Sequence, residues 1–128
     1  MKEDRLYLEH MLTAAQRILD YVGDGREAFM RDPRTQDAVV RNFEIIGEAA
    51  KRVSATTREA CPEIPWRPLA GFRDVLIHRY ETVDLEAVWQ VVEIGWFYII
   101  GNPARAGKAL VTLMVDDLDR LVAELEGR

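Results

Sequence analysis

The chain has 128 residues, of which 48% are hydrophobic and 30% charged, a composition that excludes a disordered chain. This length predicts one domain over residues 1–128. The 17 basic and 22 acidic residues give a net charge of −5. The acidic excess lies in residues 81–128, and no basic stripe of the kind typical of DNA-binding domains is present.

Short apolar runs and a single cysteine narrow the class of protein further. The longest apolar run, Ile94–Ile100, is far shorter than the about 20 residues of a membrane helix, and Met1–Arg5 lacks the apolar region of a secretory signal. Cys61 cannot form an internal disulfide, which favours a reducing compartment. With two histidines and one cysteine, a structural zinc site is excluded. We therefore expect a cytoplasmic protein with no metal, no cofactor and no membrane partner.

Apolar residues recur at helical spacing along nearly the whole chain. Gly23–Gly25 ends the first helix, whereas Asp32-Pro33 and Asp84 are typical helix starts. Residues 54–62 lose the pattern and predict turns. The predicted helices cover residues 8–22, 26–31, 33–53, 66–80, 85–100 and 105–126.

The helix predicted over residues 85–100 is apolar on almost every side. Such a helix must be covered on every side, which predicts a subunit interface as well as a core. No strand-like alternation occurs. The fold class is therefore all-α, an antiparallel helical bundle of four to five main helices that forms a dimer.

The segment over residues 71–80 carries the candidate chemistry. His78 can exchange a proton near neutral pH, and Arg73 presents a planar fork that matches phosphate oxygens. This pair suits metal-independent cleavage of an RNA phosphodiester: a base takes the 2′-OH proton, an acid protonates the leaving 5′-oxygen, and arginine stabilises the anionic phosphorus. On spacing alone, a structural or merely exposed pair is the alternative.

Helical geometry separates Arg73 from His78. Five residues turn a helix by about 500°, which leaves the two side chains about 140° apart around the axis. Two routes would bring them to one site. The helix ends near His78 and releases it, or two copies of the segment meet across a two-fold axis.

Arg73, His78 and Tyr80 resemble the Arg-x4-His-x-Tyr motif of the HepT-like toxins, a branch of the HEPN superfamily. Other segments resemble the same family in the same order along the chain. These segments are Asn42–Ala50, Ile64–Trp66, Leu69–Arg73 and Tyr80–Trp89.

The resemblance implies a small helical bundle that dimerises and places two Arg-x4-His motifs near a shared cleft. It implies a metal-independent endoribonuclease, the toxin of a type II toxin–antitoxin pair, with Arg73 and His78 as the catalytic pair. Its implied partner is an MNT-type nucleotidyltransferase, which would transfer AMP to Tyr80. The added phosphate and base would repel and occlude RNA beside His78. The alternative function is a catalytically weak HEPN binding module that serves mainly as partner or substrate of the transferase.

Two acidic residues are supporting candidates. Glu48 would orient Arg73 or a catalytic water, or else it is a surface carboxylate. Asp74 matches the polar residue that often follows the motif arginine and would orient Arg73 or His78; the alternative is a solvated acid.

Four basic residues are candidates for steering an RNA backbone, with ordinary solubilising charge as the alternative for each. These are Arg79, Arg67, Lys51 and Arg52. His10 is predicted to be a surface residue of the first helix. Cys61 is predicted to be a small apolar residue at a turn rather than a nucleophile.

Overall fold

A computed structural model describes the backbone of residues 2–78, 84–93 and 110–126, and the side chains of residues 3–74, 76, 84–92 and 117–125. The described residues form seven helices and no strand, which confirms the all-α class. The parts of the predicted helices that cover residues 79–80, 94–100 and 105–109 lie outside the described residues. The helices are α1 (Lys2–Tyr21), α2 (Arg26–Arg31), α3 (Pro33–Arg52), α4 (Ala55–Ala60), α5 (Trp66–His78), α6 (Leu85–Glu93) and α7 (Leu110–Glu126).

The helix starts follow the capping signals. The Asp32 carboxylate accepts a hydrogen bond from the Arg34 amide at 3.0 Å, and Pro33 occupies the first position of α3. The Asp84 carboxylate accepts one from the Glu86 amide at 3.0 Å at the start of α6. Both predicted caps are confirmed.

The prediction of turns over residues 54–62 is wrong in part, because α4 occupies Ala55–Ala60. This helix has six residues, too few for an apolar repeat to show in the sequence. It is held instead by its cap: the Ser54 hydroxyl accepts a hydrogen bond from the Thr57 amide at 3.3 Å.

Helix α3 is central to the packing of the described helices. It packs against α1 on one side and against α5 on the other, and α1 also packs against α7. Large side chains with almost no exposed surface fill these contacts, among them Leu8, Met11, Ile18, Val39, Phe43, Ile46, Leu69, Leu76 and Leu118. Polar residues of α3 lie beside both neighbours, because one pocket is lined by residues of α1, α3 and α5.

No helix in the described part of the chain combines the length and the apolar character that crossing a membrane requires.

Candidate functional site

Helices α3 and α5 touch at Gly47. A Cβ atom placed there would lie 2.2 Å from the Cβ of Arg73 and 2.8 Å from the carbonyl oxygen of Leu69. Only glycine fits at this distance, so the aliphatic stem of Arg73 lies directly on the backbone of α3. Gly47 thus permits the close approach of α3 and α5.

Carboxylates on two sides hold the guanidinium of Arg73. Its Nη2 lies 2.9 Å from Oε2 of Glu48 on α3, and its Nη1 lies 3.2 Å from Oδ1 of Asp74 on α5. The Arg73 side chain is 24% exposed. Its Nε is buried and makes no hydrogen bond within the described residues. The guanidinium is therefore fixed in direction by two carboxylates, while the side chain stays partly exposed.

The charges continue along the surface from this contact. Lys51 Nζ lies 2.8 Å from Oδ1 of Asp74, and Arg52 Nη2 lies 3.0 Å from Oε1 of Glu48. Hydrogen bonds from Lys51 and from Arg73 hold the pKa of Asp74 below its ordinary value, so this carboxylate stays ionised. A hydrogen bond with Glu48, and to a smaller extent one with Tyr7, raises the pKa of Arg52. Three cations and two anions thus alternate along the line Lys51, Asp74, Arg73, Glu48 and Arg52.

A pocket of about 200 Å³ lies between α1 and α3, beside Arg73. Three arginines and two glutamates line it, so the side chains of its wall carry a net charge of +1, which favours an anion. Two aromatic rings, a tyrosine and a histidine from α1, complete its wall. The lining residues are Tyr7 and His10 of α1; Arg41, Glu44, Ile45, Glu48, Ala49 and Arg52 of α3; and Arg73 of α5.

The structure brings four of the predicted site residues into direct contact with Arg73 or with its partners. Glu48 and Asp74 contact Arg73, Arg52 contacts Glu48, and Lys51 contacts Asp74. These contacts join residues of α3 to residues of α5. The functional roles assigned to these side chains stay predictions.

Among the remaining predicted site residues, Arg67 is the one whose side chain the structure describes, and it lies away from this network. Arg67 is exposed and lines a different pocket beside Trp66. The backbone of α5 is helical through His78, but the His78 side chain lies outside the described residues, as do Arg79 and Tyr80. The convergence of Arg73 with His78 and the role of Tyr80 stay predictions.

Cys61 is completely buried, as predicted for a small apolar residue. Burial and the nearby Glu63 carboxylate raise the pKa of its thiol to about 11. A thiol that stays protonated at neutral pH is a poor nucleophile, and this agrees with its exclusion from the candidate site.

Sequence reasoning missed the pocket between α1 and α3. His10 is exposed, as predicted, but its position beside Tyr7 at the pocket wall was not foreseen. The available signal is a spacing of three and four residues between polar side chains at one edge of the apolar stripe of α3. The polar residues with this spacing are Arg41, Glu44, Glu48 and Arg52.

Comparison with known proteins identifies one family. The family described as "Ribonuclease HepT-like" matches residues 11–94. A protein of Caldanaerobacter subterraneus subsp. tengcongensis named "Putative RNase" is 41% identical over 93 residues, which cover 72% of this chain and 83% of the relative. A protein of Thermococcus cleftensis named "Probable ribonuclease HepT" is 42% identical over 88 residues, which cover 68% of this chain and 80% of the relative. No solved structure matches the chain.

Proposed function

Because this chain belongs to the HepT-like ribonuclease family, we propose that it is a metal-independent endoribonuclease that cuts RNA with Arg73 and His78. Membership of the family supports ribonuclease activity. The observation that carries the finer proposal is the guanidinium of Arg73, which is fixed by the α3–α5 contact and lies at the edge of a pocket with an excess of positive charge.

Cleavage would proceed by transfer within the RNA. An imidazole takes the proton of the 2′-OH, the 2′-oxygen bonds to phosphorus, and the bond from phosphorus to the 5′-oxygen breaks as an imidazolium donates a proton to that oxygen. The products are a 2′,3′-cyclic phosphate and a 5′-OH. Each copy of the chain supplies one His78. A cleft shared by two copies would therefore supply base and acid together. The backbone is helical through His78, which favours a cleft formed by two copies over release of His78 from the end of the helix.

Arg73 would exchange one of its carboxylate partners for the phosphate. The side chains of Glu48 and Asp74 are 40% and 47% exposed, and ion pairs at such surfaces contribute about 0–1 kcal/mol. A phosphate can therefore replace one of them at small cost. Glu48 and Asp74 act as positioning residues, because they set the direction of the guanidinium before RNA arrives.

We also infer the biological setting from the family resemblance. The chain would be the toxin of a type II pair, active on RNA in the cytoplasm as a homodimer, with an MNT-type nucleotidyltransferase as its antitoxin. AMP transfer to Tyr80 would place a negative charge two residues from His78. Incubation with the transferase and ATP should add the mass of one AMP to the native chain and nothing to a Tyr80→Phe variant. An unmodified native chain in the presence of active transferase would contradict this regulation.

The test of the nuclease is cleavage of single-stranded RNA in EDTA by the native chain and by His78→Ala, purified in parallel. We expect the variant to lose at least about 100-fold in kcat, the usual contribution of general acid–base catalysis. Circular dichroism should show unchanged helix content. Equal activity of both folded proteins would overturn the catalytic role of His78, and loss of native activity in EDTA would overturn metal independence.

The double pairing of Arg73 with Glu48 and Asp74 favours one second candidate, a binding module with weak catalysis. A chain in which Arg73 kept both carboxylates would offer little free charge to a phosphate, so it would cut RNA slowly and still be able to bind a partner protein. In that case the native chain would bind the transferase tightly but cut RNA no faster than His78→Ala.

A further inference from the structure

We propose that the pocket between α1 and α3 is a subsite for one nucleotide of single-stranded RNA next to the scissile phosphate. Its base would lie against Tyr7 and His10, and the adjoining phosphates would lie against Arg41 and Arg52. This proposal rests on the proposed ribonuclease function and names how the substrate is held.

The aromatic wall favours a base as the occupant. The rings of Tyr7 and His10 both line the pocket, and they lie 6.2 Å apart with an interplanar angle of 79°. The guanidinium of Arg52 lies 6.0 Å from the centre of the Tyr7 ring. Flat side chains and arginine planes of this kind are what proteins use to stack the unpaired bases of RNA.

The charges favour a phosphate beside the base. Side-chain exposure rises from 24% for Arg73 through 56% for Arg52 to 70% for Arg41. Within the described residues, Arg41 makes one ion pair, at 3.4 Å with Glu44, and its 70% exposed side chain keeps most of its donors in solvent. Arg41 and Arg52 therefore keep part of their donor groups exposed at the pocket, where the phosphates of an RNA backbone can lie.

The size of the pocket favours one base rather than a larger ligand. A volume of about 200 Å³ falls below the about 300–1,000 Å³ of pockets for drug-sized molecules. It corresponds to roughly seven water molecules at about 30 Å³ each, enough for a flat ring with its substituents. Tyr7 and His10 precede residues 11–94, which the family matches, so family membership does not assign this subsite.

Binding of RNA in a His78→Ala background, which prevents cleavage, tests the subsite. The probe is a fluorescein-labelled single-stranded RNA, and the readout is fluorescence anisotropy. We expect Tyr7→Leu to raise Kd about tenfold through loss of stacking, and Arg41→Gln to raise it by about threefold or more. Tyr21→Leu is the matched aromatic control, since Tyr21 is an exposed tyrosine at the end of the same helix. Arg31→Gln is the matched charge control, since Arg31 is exposed on α2, and both controls should change Kd less than twofold.

Cleavage kinetics and mass separate this proposal from the nuclease itself. With His78 intact, Tyr7→Leu and Arg41→Gln should raise KM and leave kcat unchanged. Unchanged Kd and KM in both variants would overturn the subsite. Cleavage of RNA by the native chain would still support the nuclease proposal in that case. Absence of both cleavage and RNA binding by the native chain would overturn both proposals. Weaker RNA binding that accompanies a fall in molecular mass would overturn the subsite by identifying the pocket as a contact between copies.

Discussion

At the scale of single residues, Asp4 is a buried carboxylate outside the candidate site. It is 4% exposed and accepts hydrogen bonds from the Ser54 amide at 2.9 Å and from the Thr57 hydroxyl at 2.6 Å. Burial alone would raise its pKa, but the hydrogen bonds from Ser54 and Thr57 outweigh burial and lower the pKa. Asp4 therefore anchors the start of α1 to the start of α4 as a carboxylate.

Asp4→Asn should lower the free energy of unfolding at pH 7 by about 1–3 kcal/mol, because an amide cannot accept the same set of hydrogen bonds. A carboxyl whose pKa is lowered on folding stabilises the fold above its ordinary pKa, and this contribution is lost as pH falls through the lowered value. The native chain and the variant should therefore converge in stability as pH falls below about 4. Urea unfolding at pH 7 and pH 3 measures this. Glu3→Gln, an exposed change in the same helical turn, is the control, and an equal loss in both variants would contradict the anchor.

At the scale of elements, the distance between α3 and α5 is set by a residue that has no side chain. Gly47 lets the Arg73 stem rest on the α3 backbone, and this brings Glu48 of α3 within reach of the guanidinium. A glycine inside a helix costs about 1 kcal/mol relative to alanine. The close contact between α3 and α5 at this position explains why glycine occurs there despite this cost.

Gly47→Ala should reduce both stability and activity. The new methyl group would overlap Arg73 Cβ and the Leu69 carbonyl, so the helices must move apart, at about 1–3 kcal/mol for overpacking. Gly71→Ala on α5 is the matched control, because a Cβ there meets nothing within 4 Å and should leave stability equal or higher by up to about 1 kcal/mol. Thermal unfolding and RNA cleavage of both variants measure the difference. A Gly47→Ala protein as stable and active as Gly71→Ala would show that the contact does not position Arg73.

At the scale of the whole molecule, the question is whether one chain or two make the site. Each chain supplies one Arg73 and one His78. Both positions lie in α5, and their separation of five residues places them about 140° apart around the helix axis. A two-fold axis is the arrangement that would bring these groups together without unwinding the helix.

Mixing of native and His78→Ala chains, unfolded together and refolded at a ratio of one to one, tests the shared cleft. If each cleft needs two intact copies, only about one quarter of the dimers are active; if each chain acts alone, about one half of the native activity per total chain remains. Light scattering should give twice the chain mass of 14.7 kDa. A monomer with one half of the activity would contradict the dimeric site.

The sequence by itself determined the helical class, the starts of α3 and α6 at their aspartate caps, and the motif residues from Arg73 to Tyr80. These signals lie within one or two turns of chain, where spacing and capping act locally. Only the tertiary structure decided that Glu48 pairs with Arg73, that α4 is a helix tied to Asp4, and that α1 and α3 enclose a pocket. Glu48 and Arg73 are 25 positions apart in the sequence, and Asp4 and Thr57 are 53 positions apart. Such contacts depend on how closely whole helices pack, which no local pattern specifies.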